Sequence, residues 1–263
     1  MPVPALRRIL LGIAVILAGT AGSAAGKGDV PVVAAAANLQ FAVTEIAESF
    51  AANTGMQIRL SFGSTGNLSR QIREGAPFEM FLAADDATPR TLHADGLTRG
   101  EGTTFALGRI ALVAPKGSPV DVTQGLEGVK TLLDARRITR FALANPEHAP
   151  FGVAAREALE AVGLWNDMQP VMVLGENVSQ AAQFALSGNA EAGIIAYSLA
   201  LAPEVAARGT FALIPDELHA PLLQRMVLLA GAGKTAEAFY AYMAAPPARA
   251  ILERYGFSVP EGQ

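Results

Sequence analysis

From Pro31 onward the sequence alternates short apolar, β-branched runs with longer stretches of helical periodicity. The runs recur at Pro31–Ala36, Gln57–Phe62, Met80–Ala83, Ile110–Ala114, Phe141–Ala144, Val171–Leu174, Ala192–Ile195, Phe211–Ile214 and Met226–Leu229. Between them Leu39, Val43, Ile46 and Phe50 recur at steps of 4, 3 and 4, Leu68 and Ile72 at 4, and Ala155, Leu159 and Val162 at 4 and 3. Each spacing keeps one helix face apolar. The pattern predicts an α/β fold with mostly parallel strands. Two further helices are expected over Ala236–Met243 and Ala248–Tyr255, the second started by Pro246-Pro247 and stopped by Gly256. At 263 residues the chain is long enough for one large domain or two small ones, each with a core of its own.

The front of the chain departs from this rhythm. Arg7 and Arg8 precede an apolar run from Ile9 to Ala18, and small residues follow to Gly22-Ser23-Ala24-Ala25. That is the three-part pattern of a secretory signal peptide over residues 1–25, with cleavage expected near Ala25. The run is too short for a membrane span, which needs about 20 apolar residues. Export to the periplasm is therefore expected. Loss of the two arginines leaves 18 basic against 24 acidic residues. No basic patch gathers anywhere, so nucleic acid is not an expected partner. The absence of cysteine excludes disulfides, thiol nucleophiles and Cys-ligated metals.

Catalytic constellations are equally absent. His93, His148 and His219 stand far apart, none at helical spacing from another histidine or a paired carboxylate, and each reads as a surface or capping residue. Gly63-Ser64-Thr65-Gly66 lacks the lysine of a phosphate-binding P-loop. Asp85-Asp86 reads as a helix N-cap. No enzymatic activity, cofactor or resident metal is expected.

Four strand-to-helix junctions carry small or polar residues instead: Ala37-Asn38, Gly63-Ser64-Thr65-Gly66, Pro150-Phe151-Gly152 and Asn177-Val178-Ser179. A helix start leaves about four N–H groups without partners and carries roughly half a positive charge, so each is a neutral anion receptor. In α/β sheets such junctions lie at the carboxyl ends of strands, where ligands bind. Asn and Ser at these places are also ordinary caps, and any single junction would read as one. Arg70 and Arg73 follow the second junction but project away from the Leu68–Ile72 face. Glu176 beside the fourth junction is expected to point outward; turned inward, it would favour a proton-bearing anion such as hydrogen phosphate.

At these junctions the chain resembles the periplasmic molybdate-binding proteins of ABC importers. The resemblance rests on Ala34-Ala35-Ala36-Ala37-Asn38-Leu39, Phe62-Gly63-Ser64-Thr65-Gly66-Asn67-Leu68, Gly75-Ala76-Pro77-Phe78, Ala84-Asp85, Asn145-Pro146-Glu147-His148-Ala149-Pro150-Phe151-Gly152 and Arg254-Tyr255-Gly256-Phe257. It covers nearly all of the chain after residue 25. It implies a two-lobed type II periplasmic-binding-protein fold, each lobe a mostly parallel sheet flanked by helices, that closes on an oxyanion without catalysing a reaction. Residues 26–108 and 222–263 would form a discontinuous first lobe and 109–221 the second, with crossovers near Thr104–Arg109 and His219–Leu223.

The resemblance also places the oxyanion contacts. The first falls on Asn38, the second on Thr65 with Ser64 beside it, and backbone contacts fall on Phe151 and Val178. A tyrosine that some relatives place at the ligand would fall on Ala196; Tyr197 is one residue late, a turn of about 100 degrees if a helix starts there, and is expected to be packed or exposed. The partners implied are molybdate or tungstate and the membrane permease of an ABC importer. The chain itself is expected to act as a monomer. Sulfate or phosphate is the alternative ligand, and an anion-handling enzyme on the same fold the more distant one.

Overall fold

The computed structural model describes Met1 and residues 30–260. The expected leader and its cleavage point lie outside the described residues. The chain begins with β1 (Val32–Ala36), a 3-10 turn (Ala37–Leu39), α1 (Gln40–Thr54), β2 (Arg59–Gly63), α2 (Thr65–Arg73), β3 (Phe78–Leu82), α3 (Ala87–Ala94) and β4 (Thr103–Gly108). It continues through β5 (Ile110–Pro115), α4 (Gly125–Asp134), β6 (Phe141–Ala144), α5 (Pro150–Ala161), α6 (Trp165–Met168), β7 (Met172–Gly175) and α7 (Val178–Leu186). After β8 (Ala192–Ala196) come the single-turn helices α8 (Tyr197–Ala200) and α9 (Pro203–Ala206), then β9 (Gly209–Leu213). The last elements are β10 (Leu222–Leu228), α10 (Lys234–Met243) and α11 (Pro246–Arg254).

Two five-stranded sheets result, in the orders β2-β1-β3-β10-β4 and β7-β6-β8-β5-β9. In the first, β1 pairs in parallel with β2 and β3, and β10 runs antiparallel to both β3 and β4. The second repeats this, with β6 parallel to β7 and β8, and β5 antiparallel to β8 and β9. Four strands of each sheet therefore share one direction. The reversed strand is in each case the one that has just crossed from the other sheet. Only Arg109 separates β4 from β5.

The segment expected to be the first crossover is thus largely strand. Thr103–Gly108 was not predicted because its runs of two threonines and of Phe105-Ala106-Leu107 break the alternation of a half-buried strand. Tertiary pairing with β10 supplies the ladder that local pattern does not announce.

Burial follows the predicted helical faces. Leu39, Val43, Ile46 and Phe50 are all inaccessible to solvent, as are Leu68 and Leu159. Phe50 meets Phe239 of α10 edge-on at 5.2 Å and Tyr242 at 5.4 Å. A buried Phe contributes about 1.5–3 kcal/mol, so the chain's last helices complete the core begun by its first. Helix α11 starts at Pro246, whose missing N–H costs nothing in a first turn, and Gly256 follows it at φ +76°.

Candidate functional site

The four predicted junctions come together. A single small cavity, about 10 Å³, is lined by Asn38, Ser64, Thr65, Phe151 and Val178 together with Ala37, Ala84, Pro150 and Asn177. A space of that size is on the scale of one water-sized centre. Helices α2, α5 and α7 all begin there, and the 3-10 turn before α1 supplies the fourth wall. The first residues of a helix have no carbonyl four positions back to bond. Among the described residues the N–H groups of Thr65, Phe151 and Val178 find no acceptor.

Local sequence explains each turn. Ser64 caps α2 by accepting from the Asn67 N–H, and Asn177 caps α7 by accepting from the Gln180 N–H at 3.0 Å. Both are ordinary caps that also line the cavity, so the two readings of these residues coexist. The Thr65 hydroxyl accepts from the Ala84 N–H at 2.9 Å, which fixes its rotamer and leaves its proton to be donated elsewhere. Gly152 is required by close approach, since a Cβ there would lie 2.3 Å from the Ala144 carbonyl oxygen. Phe151 is buried, and its ring tip reaches within 3.1 Å of where a Cβ on Gly108 would stand. The ring therefore packs toward the crossover between the sheets.

The two lobes touch around this cavity. The Gly66 N–H donates to the His148 carbonyl at 3.0 Å, and the Ser64 hydroxyl stands 3.1 Å from His148 Nδ1. Ser179 donates to the Ala37 carbonyl at 3.0 Å, and Ser198 to the Asn38 carbonyl at 2.8 Å. These contacts hold the first lobe's cavity-lining turns against the second. His148 was read as a surface or capping residue; it is instead a contact between lobes, 84 residues from Ser64 in sequence, and no local signal announces it.

No charged side chain lines the cavity. Glu176 lies on the rim, largely exposed, where it accepts from Asn67 Nδ2 at 3.3 Å and stands 3.6 Å from His148 Nε2. Arg73 pairs with Asp95, and Arg70 donates to Asn67 on the helix surface. Asp85 caps α3 by accepting from both the Thr88 N–H and hydroxyl, whereas Asp86 pairs with Arg90 and with buried Arg225 at 2.6 Å. Burial pushes the Asp85 carboxyl up; burial acts the same way on Asp86, but its bonds to Arg90 and Arg225 hold it below the usual range. Tyr197 is away from the cavity, stacked edge-on against Phe211 and over Gly256. Among the described residues no group of three or more His, Cys, Asp or Glu side chains could hold a metal ion.

Sequence reasoning did not single out Gln224. It is fully buried on β10, and its Oε1 accepts from Asn38 Nδ2 at 3.1 Å. The available signal was two polar residues, Gln224 and Arg225, inside an otherwise apolar run.

Residues 31–258 match the family described as bacterial extracellular solute-binding protein. The chain belongs to that family. It is 36% identical to the molybdate-binding protein ModA of Azotobacter vinelandii over 92% of this chain and 94% of that one. It is 34% identical to ModA of Rhodobacter capsulatus over 89% of each. Among solved structures, the periplasmic molybdate-binding protein of Azotobacter vinelandii superposes with a TM-score of 0.80 at 28% identity, over 88% of this chain and all of that one. Two lobes built on mixed sheets are thus the family's architecture as well as this chain's.

Proposed function

We propose that this protein captures molybdate, and with it tungstate, between its two lobes and delivers it to the permease of an ABC importer. The observation that carries this reading is the convergence of four helix-start turns on one cavity with no charged side chain in its wall. A fully deprotonated oxyanion offers acceptors only. Such an ion is matched by N–H and hydroxyl donors without any lysine or arginine. Hydrogen phosphate carries a proton and needs an acceptor, and a carboxylate buried beside a dianion costs several kcal/mol. With Glu176 on the rim, no carboxylate is on offer.

The contacts in this reading are the Asn38 carboxamide, the hydroxyls of Thr65 and Ser64, and the backbone N–H groups of Phe151 and Val178. Charge-assisted hydrogen bonds contribute roughly 1.5–3 kcal/mol each. Five of them can offset desolvation and leave micromolar affinity or better, about −8 kcal/mol. The ion joins donors from both lobes, so it binds the closed arrangement better than the open one and shifts the protein toward it. The first lobe in this account comprises residues 26–108 and 222–263, and the second 109–221. The protein works in the periplasm after removal of residues 1–25.

Calorimetric titration of the mature protein with molybdate, tungstate, sulfate and phosphate tests the reading. Molybdate and tungstate are expected to bind tightly and sulfate weakly. Tight phosphate binding without a molybdate response would overturn it in favour of a different anion carrier.

A further inference from the structure

The amides of Asn38 and Gln224 form a pair in which each uses one arm and leaves the other idle. Asn38 Nδ2 donates to Gln224 Oε1 at 3.1 Å. Asn38 Oδ1 and Gln224 Nε2 are both buried and lack partners among the described residues. Leaving such atoms unmatched is costly, so a pair of orphans on adjoining side chains asks for a reason. Gln224 does not line the cavity, whereas Asn38 does. Of the two idle arms, only that of Asn38 therefore belongs to a residue in the cavity wall.

The pair has two self-consistent orientations that share the same heavy-atom positions. In the one described, Asn38 gives its NH2 to Gln224 and keeps its oxygen for the site. Half a turn of both carboxamides reverses this: Gln224 Nε2 donates to Asn38 Oδ1, and the Asn38 NH2 is released to the site. Turning only one of them would bring two oxygens, or two NH2 groups, together. The two residues therefore turn in concert, and whichever atom Gln224 presents fixes the atom that Asn38 presents. An acceptor-only dianion is repelled by an oxygen and bound by an NH2. Space for the Gln224 amide is provided by Gly108, where a Cβ would stand 2.5 Å from Nε2.

We propose that Gln224 is the positioning residue of the oxyanion site, holding the Asn38 carboxamide so that it meets a proton-free dianion with its NH2. This deepens the molybdate reading and rests on it. Gln224 touches no ligand itself and acts only through Asn38. Removing its amide frees the Asn38 side chain to present either atom.

The test is a double-mutant cycle read by molybdate titration, with Asn38→Ala, Gln224→Met and the two combined. Asn38→Ala is expected to weaken binding about 10- to 100-fold, and Gln224→Met about 3- to 30-fold in the parent protein. In the Asn38→Ala background, Gln224→Met is expected to change affinity less than about twofold. A residue that merely supports the fold would weaken both backgrounds alike, and that result overturns the proposal, as does an unchanged affinity in Gln224→Met alone. If Gln224→Met does not fold, Gln224→Leu, which removes the same amide without touching Gly108 or Phe151, takes its place in the cycle with the same expected non-additivity. No molybdate binding by the parent protein, or an unchanged affinity in Asn38→Ala, overturns the site reading itself, whereas failure of the Gln224 proposal alone leaves the parent binding and Asn38→Ala weakened.

Discussion

Replacing Gly66 by alanine separates closure of the lobes from their folding. Gly66 is the second residue of α2, and its backbone is ordinary helix, so alanine suits the first lobe by itself. The three heavy atoms nearest to the added Cβ all belong to His148 of the other lobe, the carbonyl oxygen at 2.8 Å, its Cβ at 2.9 Å and its Cα at 3.1 Å. Two of these are backbone and cannot swing aside. Relieving the overlap costs about 1–3 kcal/mol, and widening the gap also weakens the Gly66–His148 hydrogen bond, worth about 0.5–1.5 kcal/mol. Affinity for molybdate should fall by roughly 1.5–4.5 kcal/mol, about tenfold to a thousandfold or more. The melting temperature without ligand should hold or rise slightly. Calorimetry and thermal unfolding on the same preparation check both. Wild-type affinity in Gly66→Ala would refute the premise that binding requires these turns to meet.

Other expectations follow from the same geometry. Thr65→Val keeps the shape but removes the hydroxyl that accepts from Ala84 N–H, and should lower both stability and molybdate affinity by about 1–2 kcal/mol each. Tyr197→Phe and Arg70→Ala should leave the dissociation constant within about twofold, since neither side chain reaches the cavity. Asp85 titrates against the fold: its folded value is raised by burial, so its effect is neutral below the unfolded value and stability is lost as pH rises through the interval up to the folded one. Asp85→Asn keeps an oxygen for the cap on Thr88 and should flatten that part of the melting-temperature profile, which begins near the ordinary carboxylate value and runs upward from it. An unchanged slope would show that Asp85 is not the group responsible.

How much of this was legible before the structure differs by element. The helical faces of α1 and α2 and the stop at Gly256 follow from spacing and turn chemistry, which are local. Strand β4 was missed because its identity is conferred by β10, more than 110 residues later. At the cavity, the four turns were legible because helix starts announce themselves through caps and small residues, whereas the choice of Asn38, Ser64, Thr65, Phe151 and Val178 within them came from the family resemblance. That the four turns face one cavity is a tertiary fact. His148 and Gln224 escaped for the same reason: a histidine in a loop and a glutamine in a strand acquire meaning only from what the fold sets beside them.

Diffraction from molybdate-bound crystals at the molybdenum absorption edge locates the ion without reference to any assumed site. The account predicts one anomalous peak, in the cavity between the lobes, with its oxygens about 2.7–3.2 Å from the donors of Asn38, Thr65, Phe151 and Val178 and from no guanidinium or ammonium group. A peak on the outer surface, or an ion held chiefly by arginine or lysine, would contradict it.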